Sequence, residues 1–182
     1  MRRAHLMIVL VFVLVSGCGP KTLEEAPIGV AQSVDGYDGV RSLARDESIY
    51  FAGQPREADY RRLAEEEGIK TVICARLPVE LQSLGFDEVA LAAELGMAYE
   101  DIGFSYGSYS ADHVDRFAEI LARIEGPVLI HCASSNRVGG LWANYLNRHR
   151  GIDIEEAIRI GRAAGLRSQV MIDAVMRVAG EK

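Results

Sequence analysis

Pro127-Val128-Leu129-Ile130-His131-Cys132-Ala133-Ser134-Ser135-Asn136-Arg137-Val138-Gly139-Gly140 is the stretch on which the fold of this chain turns. An apolar run of strand length ends in a His-Cys pair, small polar residues follow, and an arginine comes after them. A strand that stops at Cys132 and turns into a helix starting near Arg137 would aim successive backbone N–H groups and a helix N-terminus at one point. Anions prefer that point. The same field favours the ionised thiolate, which makes Cys132 a candidate nucleophile. The planar fork of Arg137 can grip two oxygens of a tetrahedral oxyanion, a task a point-charge lysine does less well. The chemistry implied is attack on phosphorus or sulfur.

Outward from this loop the pattern alternates. Strands are expected at 49–52, 70–75, 98–102 and 128–131, and helices at 57–67, 86–95, 111–124 and 138–149, two of them closed by Gly68 and Gly96. Asp153 with Glu156 reads as a capping pair opening a helix to Ala164, and Ser168 opens a last helix to about Val178. This predicts an α/β fold, with a mostly parallel central sheet flanked by helices and C-terminal helices after it. Ligands bind such sheets beyond the carboxyl ends of the strands, where Cys132 falls.

Four stretches in order carry a family likeness: Ile49-Tyr50-Phe51-Ala52-Gly53-Gln54-Pro55, then Gly68-Ile69-Lys70-Thr71-Val72-Ile73-Cys74-Ala75-Arg76, then Gly96-Met97-Ala98-Tyr99, then the Cys132 loop. Over roughly residues 46–165 the chain resembles the cysteine-dependent tyrosine and dual-specificity phosphatases. It is most similar to small bacterial phosphatase-like domains found alone or fused to β-lactamase-like hydrolases. The resemblance implies hydrolysis of phosphate monoesters, phosphotyrosine or phosphoprotein among them, through a phosphocysteine on Cys132. Arg137 and the amides of Ala133, Ser134, Ser135 and Asn136 would hold the phosphoryl oxygens, and His131 would organise the loop. No cofactor and no metal are implied.

The loop departs from the usual pattern of those enzymes. They place five residues between Cys and Arg, a glycine within the loop and a Ser or Thr after the Arg; here four residues intervene, none is glycine, and Val138 follows. Rhodanese-type sulfurtransferases use the shorter loop, so a persulfide on Cys132 is the alternative chemistry, and a non-catalytic anion-binding module is a third reading. Ser135 and Asn136 must supply any left-handed backbone the turn needs.

A general acid is expected on the loop after the strand at 98–102. Asp112 is the candidate, although it follows the N-cap-like Ser110 and equally reads as a first-turn carboxylate favouring the helix dipole. Phe104, Tyr106 and Tyr109 on that loop could wall the substrate. Arg76 could recruit a second anionic group of the substrate, or form an ion pair with Glu80. Cys74 could close a reversible disulfide with Cys132, or serve as a small buried apolar side chain. His113 and His149 lack metal-ligand spacing. Trp142 and Tyr145 read as core.

Met1-Arg2-Arg3, the apolar run Leu6 to Val15 and Val15-Ser16-Gly17-Cys18 together look like a lipoprotein signal peptide over residues 1–17, with Cys18 as the lipidated first residue. A conventional secretory signal is the alternative. A tether over 18–40 would lead to a phosphatase-like domain over 41–182. The place expected is the bacterial cell envelope, outside the cytoplasm and anchored to a membrane through Cys18. The partner expected is a phosphorylated substrate; a net charge of −6 argues against a nucleic-acid surface.

Overall fold

A computed structural model describes Leu23 and residues 27–181. In chain order the elements are β1 (Gln32–Ser33), β2 (Ala44–Asp46), β3 (Ile49–Ala52), α1 (Glu57–Glu66), β4 (Thr71–Cys74), α2 (Pro78–Leu81), α3 (Glu88–Glu94), β5 (Ala98–Asp101), α4 (Ala111–Arg123), β6 (Val128–His131), α5 (Asn136–Arg150), α6 (Ile154–Ala163) and α7 (Gln169–Ala179). One six-stranded sheet runs in the order β1-β2-β3-β6-β4-β5. The inner pairings β3–β6, β6–β4 and β4–β5 are parallel, as expected, while β1–β2 and β2–β3 are antiparallel.

β3, β4 and β6 are buried at every position, because each faces helices on both sides. Successive side chains alternate between two cores. Phe51, Ile73, Val128 and Ile130 pack with α4, α5, α6 and α7; Tyr50, Ala52, Val72 and Leu129 pack with Tyr60 and Leu63 of α1 and Leu91 of α3. The same alternation sends His131 and Cys132 to opposite sides of the sheet. Helix α5 is buried from Asn136 to Leu146, with Trp142 and Tyr145 in the core. It can approach α6 closely because Gly139 and Gly161 meet there: a Cβ on Gly139 would lie 2.5 Å from the Gly161 carbonyl oxygen.

The expected tether over 18–40 gives way to packed chain before residue 41. β1 pairs with β2 in the register Gln32↔Arg45, and Tyr37 and Val40 are buried. The cause is specific: the Tyr37 ring lies 4.4 Å beneath the Arg62 guanidinium and its hydroxyl donates to Glu66 at 3.1 Å. Residues 1–17 and Cys18 lie outside the described residues.

Candidate active site

The loop after β6 is short. Cys132 N–H still donates to the Ala52 carbonyl at 3.2 Å, yet Asn136 is already the first residue of α5, two positions earlier than the sequence pattern predicts. Ser135 makes the turn. Its φ of 65° is left-handed, and its hydroxyl donates to the Ala164 carbonyl at 2.8 Å. Gly165 (φ +110°) faces it so closely that a Cβ there would stand 2.5 Å from the Ser135 Cβ.

Asn136 locks the turn to its surroundings. Its amide donates to the Tyr106 hydroxyl (3.0 Å) and the Ser168 hydroxyl (2.8 Å), and its carbonyl accepts from the backbone N–H of Arg167 (2.8 Å) and Ser168 (3.0 Å). Ser134 bridges to Gly53, Arg167 donates to the Ser134 carbonyl, and Gln54 N–H donates to the Ala133 carbonyl at 3.4 Å. Several loop carbonyls are thus held from outside, and the start of α5 turns its N-terminal end, which favours an anion, toward the loop.

Arg137 is buried and reaches Cys132. Its two terminal nitrogens each donate to one Glu80 oxygen at 2.7 Å, and one also donates to the Phe104 carbonyl at 2.8 Å. Burial works against its charge, but Glu80 and Cys132 beside it hold the guanidinium more firmly protonated than usual. The Arg137 hydrogen bonds in turn hold Glu80 below the ordinary carboxylate range, so it is ionised at neutral pH. Glu80 rides on α2, a single turn opened by Pro78, and its carboxylate also accepts from the Leu77 N–H at 2.8 Å. It was the missed residue of this site. The sequence places it only as a possible partner of Arg76, and nothing local signals a contact 57 residues away.

His131 lies behind the loop in a buried network that engages its Nε2. Its Nε2 is 3.0 Å from both the Tyr60 hydroxyl and Glu88 Oε1. Glu88 also accepts from Tyr99 (2.8 Å) and Gln54 (2.7 Å). Burial alone would raise the Glu88 pKa, but the His131 charge and these hydrogen bonds bring it down to about 2. Burial alone would lower that of His131, but Cys74 and Glu88 push it up to about 10. The pair is therefore ionised together.

Cys74 pairs in register with His131 and shares its face of the sheet. Its sulfur accepts from Arg76 N–H at 3.4 Å, and it is fully buried. No disulfide joins Cys74 and Cys132, which the strand alternation turns to opposite sides of the sheet, and the buried alternative describes Cys74. Cys74, Glu88 and His131 bring three possible ligand atoms within 4.8 Å. The carboxylate there is already committed to His131, Tyr99 and Gln54.

The pocket over the loop holds about 290 Å³ and is lined by Glu80, Ser105, Tyr106, Ala133 and Arg137. Asp112 does not line it. That carboxylate is exposed on the first turn of α4, in a separate groove with Asp115, Arg116 and Glu119, which is the helix-dipole placement rather than that of an acid. Arg76 is buried and does not line the pocket; its terminal nitrogens donate to Gln54 (2.6 Å) and the Glu80 carbonyl (2.8 Å) and its Nε lies 3.8 Å from the Glu80 carboxylate, the ion-pair alternative that braces the α2 loop. Of the three aromatic residues expected as a wall, Phe104 and Tyr109 are buried and stacked at 4.6 Å, leaving Tyr106.

Residues 40–146 match the family model described as the phosphatase-like domain of β-lactamase hydrolase-like proteins. The chain belongs to this phosphatase-like domain family. A β-lactamase hydrolase-like protein of Agrobacterium fabrum is 31% identical over 100 residues, covering 54% of this chain but only 23% of that protein. Among solved structures, a protein of Neisseria meningitidis described as a candidate phosphatase has a TM-score of 0.62 at 25% identity, covering 75% of this chain and 97% of its own. P. aeruginosa TpbA in complex with phosphotyrosine has a TM-score of 0.63 at 20% identity, covering 83% and 88%, a likeness of fold.

Proposed function

We propose that this phosphatase-like domain hydrolyses phosphate monoesters through a phosphocysteine on Cys132. The thiolate attacks phosphorus, the S–P bond forms as the ester P–O bond breaks, and the electron pair leaves with the ester oxygen. Water then attacks phosphorus, the S–P bond breaks, and inorganic phosphate and the thiolate are released. Arg137 and the loop amides stabilise the charge on the transferring oxygens, and Glu80 holds the Arg137 fork in place. The observation that carries this reading is Arg137, buried, fixed by two bonds to Glu80 and in reach of Cys132.

Glu80 is the carboxylate that lines the pocket, and it is ionised against Arg137. Aryl esters such as phosphotyrosine fit this arrangement best, because a phenoxide departs with less protonic help than an alkoxide. A lipid on Cys18 would tether the enzyme at the cell envelope, where it would meet phosphoproteins outside the cytoplasm.

The test is parallel turnover of 4-nitrophenyl phosphate and of thiosulfate with cyanide, in reduced protein, with Cys132→Ser as control. Phosphate release that disappears in the variant is the expected result. Thiocyanate formation without phosphate release would replace the proposal with sulfur transfer, which the four-residue loop also accommodates. Activity in neither assay would leave an anion-binding module.

A further inference from the structure

The positive charge around the pocket is lopsided. In a chain of net charge −6, most surface arginines are paired with carboxylates, as in Arg45 with Glu67, Arg61 with Glu94 and Arg148 with Asp115, and the exposed Arg116 has Asp112, Asp115 and Glu119 around it. Arg41, Arg162 and Arg167 make no such pair among the described residues, and all three are exposed. They gather on one side of the Cys132 loop.

Arg167 is tied to the loop itself. It donates to the Ser134 carbonyl, to the Gly165 carbonyl at 3.0 Å and to the Ser42 hydroxyl at 3.5 Å, none of them charged. With Arg162, Ser33, Ser42 and Gly165 it lines a groove of about 350 Å³ that starts beside Ser134, two residues from the nucleophile. Arg41 follows the same edge: its carbonyl accepts from Gly53 N–H at 2.7 Å, and Gly53 bridges to Ser134. The pocket over the loop itself presents Glu80 and Tyr106.

We infer that this groove is a second anion subsite, and that the substrate is a phosphotyrosyl peptide carrying another phosphate or acidic side chain close to the phosphotyrosine. The inference rests on the phosphatase reading and narrows its substrate. An extended peptide fits better than a compact molecule because the groove leads to Ser33 on β1, the edge strand of the sheet among the described residues. Charge sets the polarity: the second anion lies toward Arg167 and Arg162, and the tyrosine ring lies near Tyr106. Exposed pairs of this kind are individually weak, so two or three acting together give roughly a 5- to 10-fold preference at low salt.

The experiment measures peptide affinity for the Cys132→Ser protein by calorimetry, which does not depend on turnover. One phosphotyrosyl peptide is compared with the same peptide carrying a phosphoserine two residues away. The expected result is tighter binding of the doubly phosphorylated peptide, a preference that shrinks with added salt and falls to about one in the Arg41→Ala/Arg162→Ala variant, which leaves the Arg167–Ser134 contact in place. Equal affinity for the two peptides, or a preference the variant retains, would overturn the subsite. Equal Arg dependence for a soluble inositol bisphosphate would overturn the peptide assignment. Absence of 4-nitrophenyl phosphate turnover in the wild-type protein would instead remove the phosphatase reading, separately from the binding result.

Discussion

Two neighbouring residues, His131 and Cys132, divide this molecule into a closed side and an open one. Behind the sheet, His131 sits among Glu88, Tyr60, Tyr99, Gln54 and Cys74, with a carboxylate bonded on both oxygens. In front, Cys132 sits in a loop whose Ala133 lines a pocket, beside an arginine gripped from one edge. Both sides contain an ion pair, but only one is sealed from water. The difference separates two uses of charge: Glu88–His131 fixes where the strand ends, and Glu80–Arg137 keeps a cation aimed at whatever enters.

If that division is correct, substitutions on the two sides should fail in different assays. Cys132→Ser should lower phosphate-ester turnover by about 10³-fold or more while leaving the urea midpoint in place. Glu88→Ala should do the reverse, costing about 3 to 5 kcal/mol in urea unfolding because His131 is left as an unpaired buried charge. A smaller stability loss would mean the network is looser than its distances suggest. Arg137→Lys should retain the charge and lose the fork, lowering kcat by roughly 10²-fold; a mutant as active as the parent would show that two-point grip is unnecessary.

The smallest effect sharpens the closed side through pH. The His131 pKa is raised to about 10, so its contribution to stability is complete below its ordinary value of 6.5 and is lost as pH rises through about 10. The Glu88 pKa is depressed to about 2, so its contribution is complete above its ordinary 4.5 and is lost as pH falls through about 2. Urea midpoints should therefore be level between those two ordinary values and decline on the alkaline side, a decline that Glu88→Gln should flatten.

Periodicity made the framework legible. The β-branched runs at β4 and β6, the glycines closing α1 and α3, and Ser168 opening α7 all mark elements where they occur. The His-Cys pair at the end of a buried strand also marked the loop. The antiparallel edge was not legible, because β1 and β2 are two and three residues long and carry no alternation of their own. Nor were Glu80 and Glu88: one sits on a four-residue helix and the other opens an amphipathic helix as an ordinary first-turn acid. Only tertiary packing brings them to Arg137 and His131. Asp112 shows the converse error, since a carboxylate near the right position in sequence lies on the wrong surface of α4.

Asn136 and Ser135 carry a lesson for anyone wishing to transplant this loop. The family match ends at residue 146, yet the partners of these two side chains include Ala164, Arg167 and Ser168, on the turns after α6 and before α7. A fragment cut at that boundary would contain Cys132 and Arg137 but expose the underside of the turn that separates them. The smallest portable unit is thus set by the loop joining α6 to α7, and those two helices are part of the reactive centre's mould.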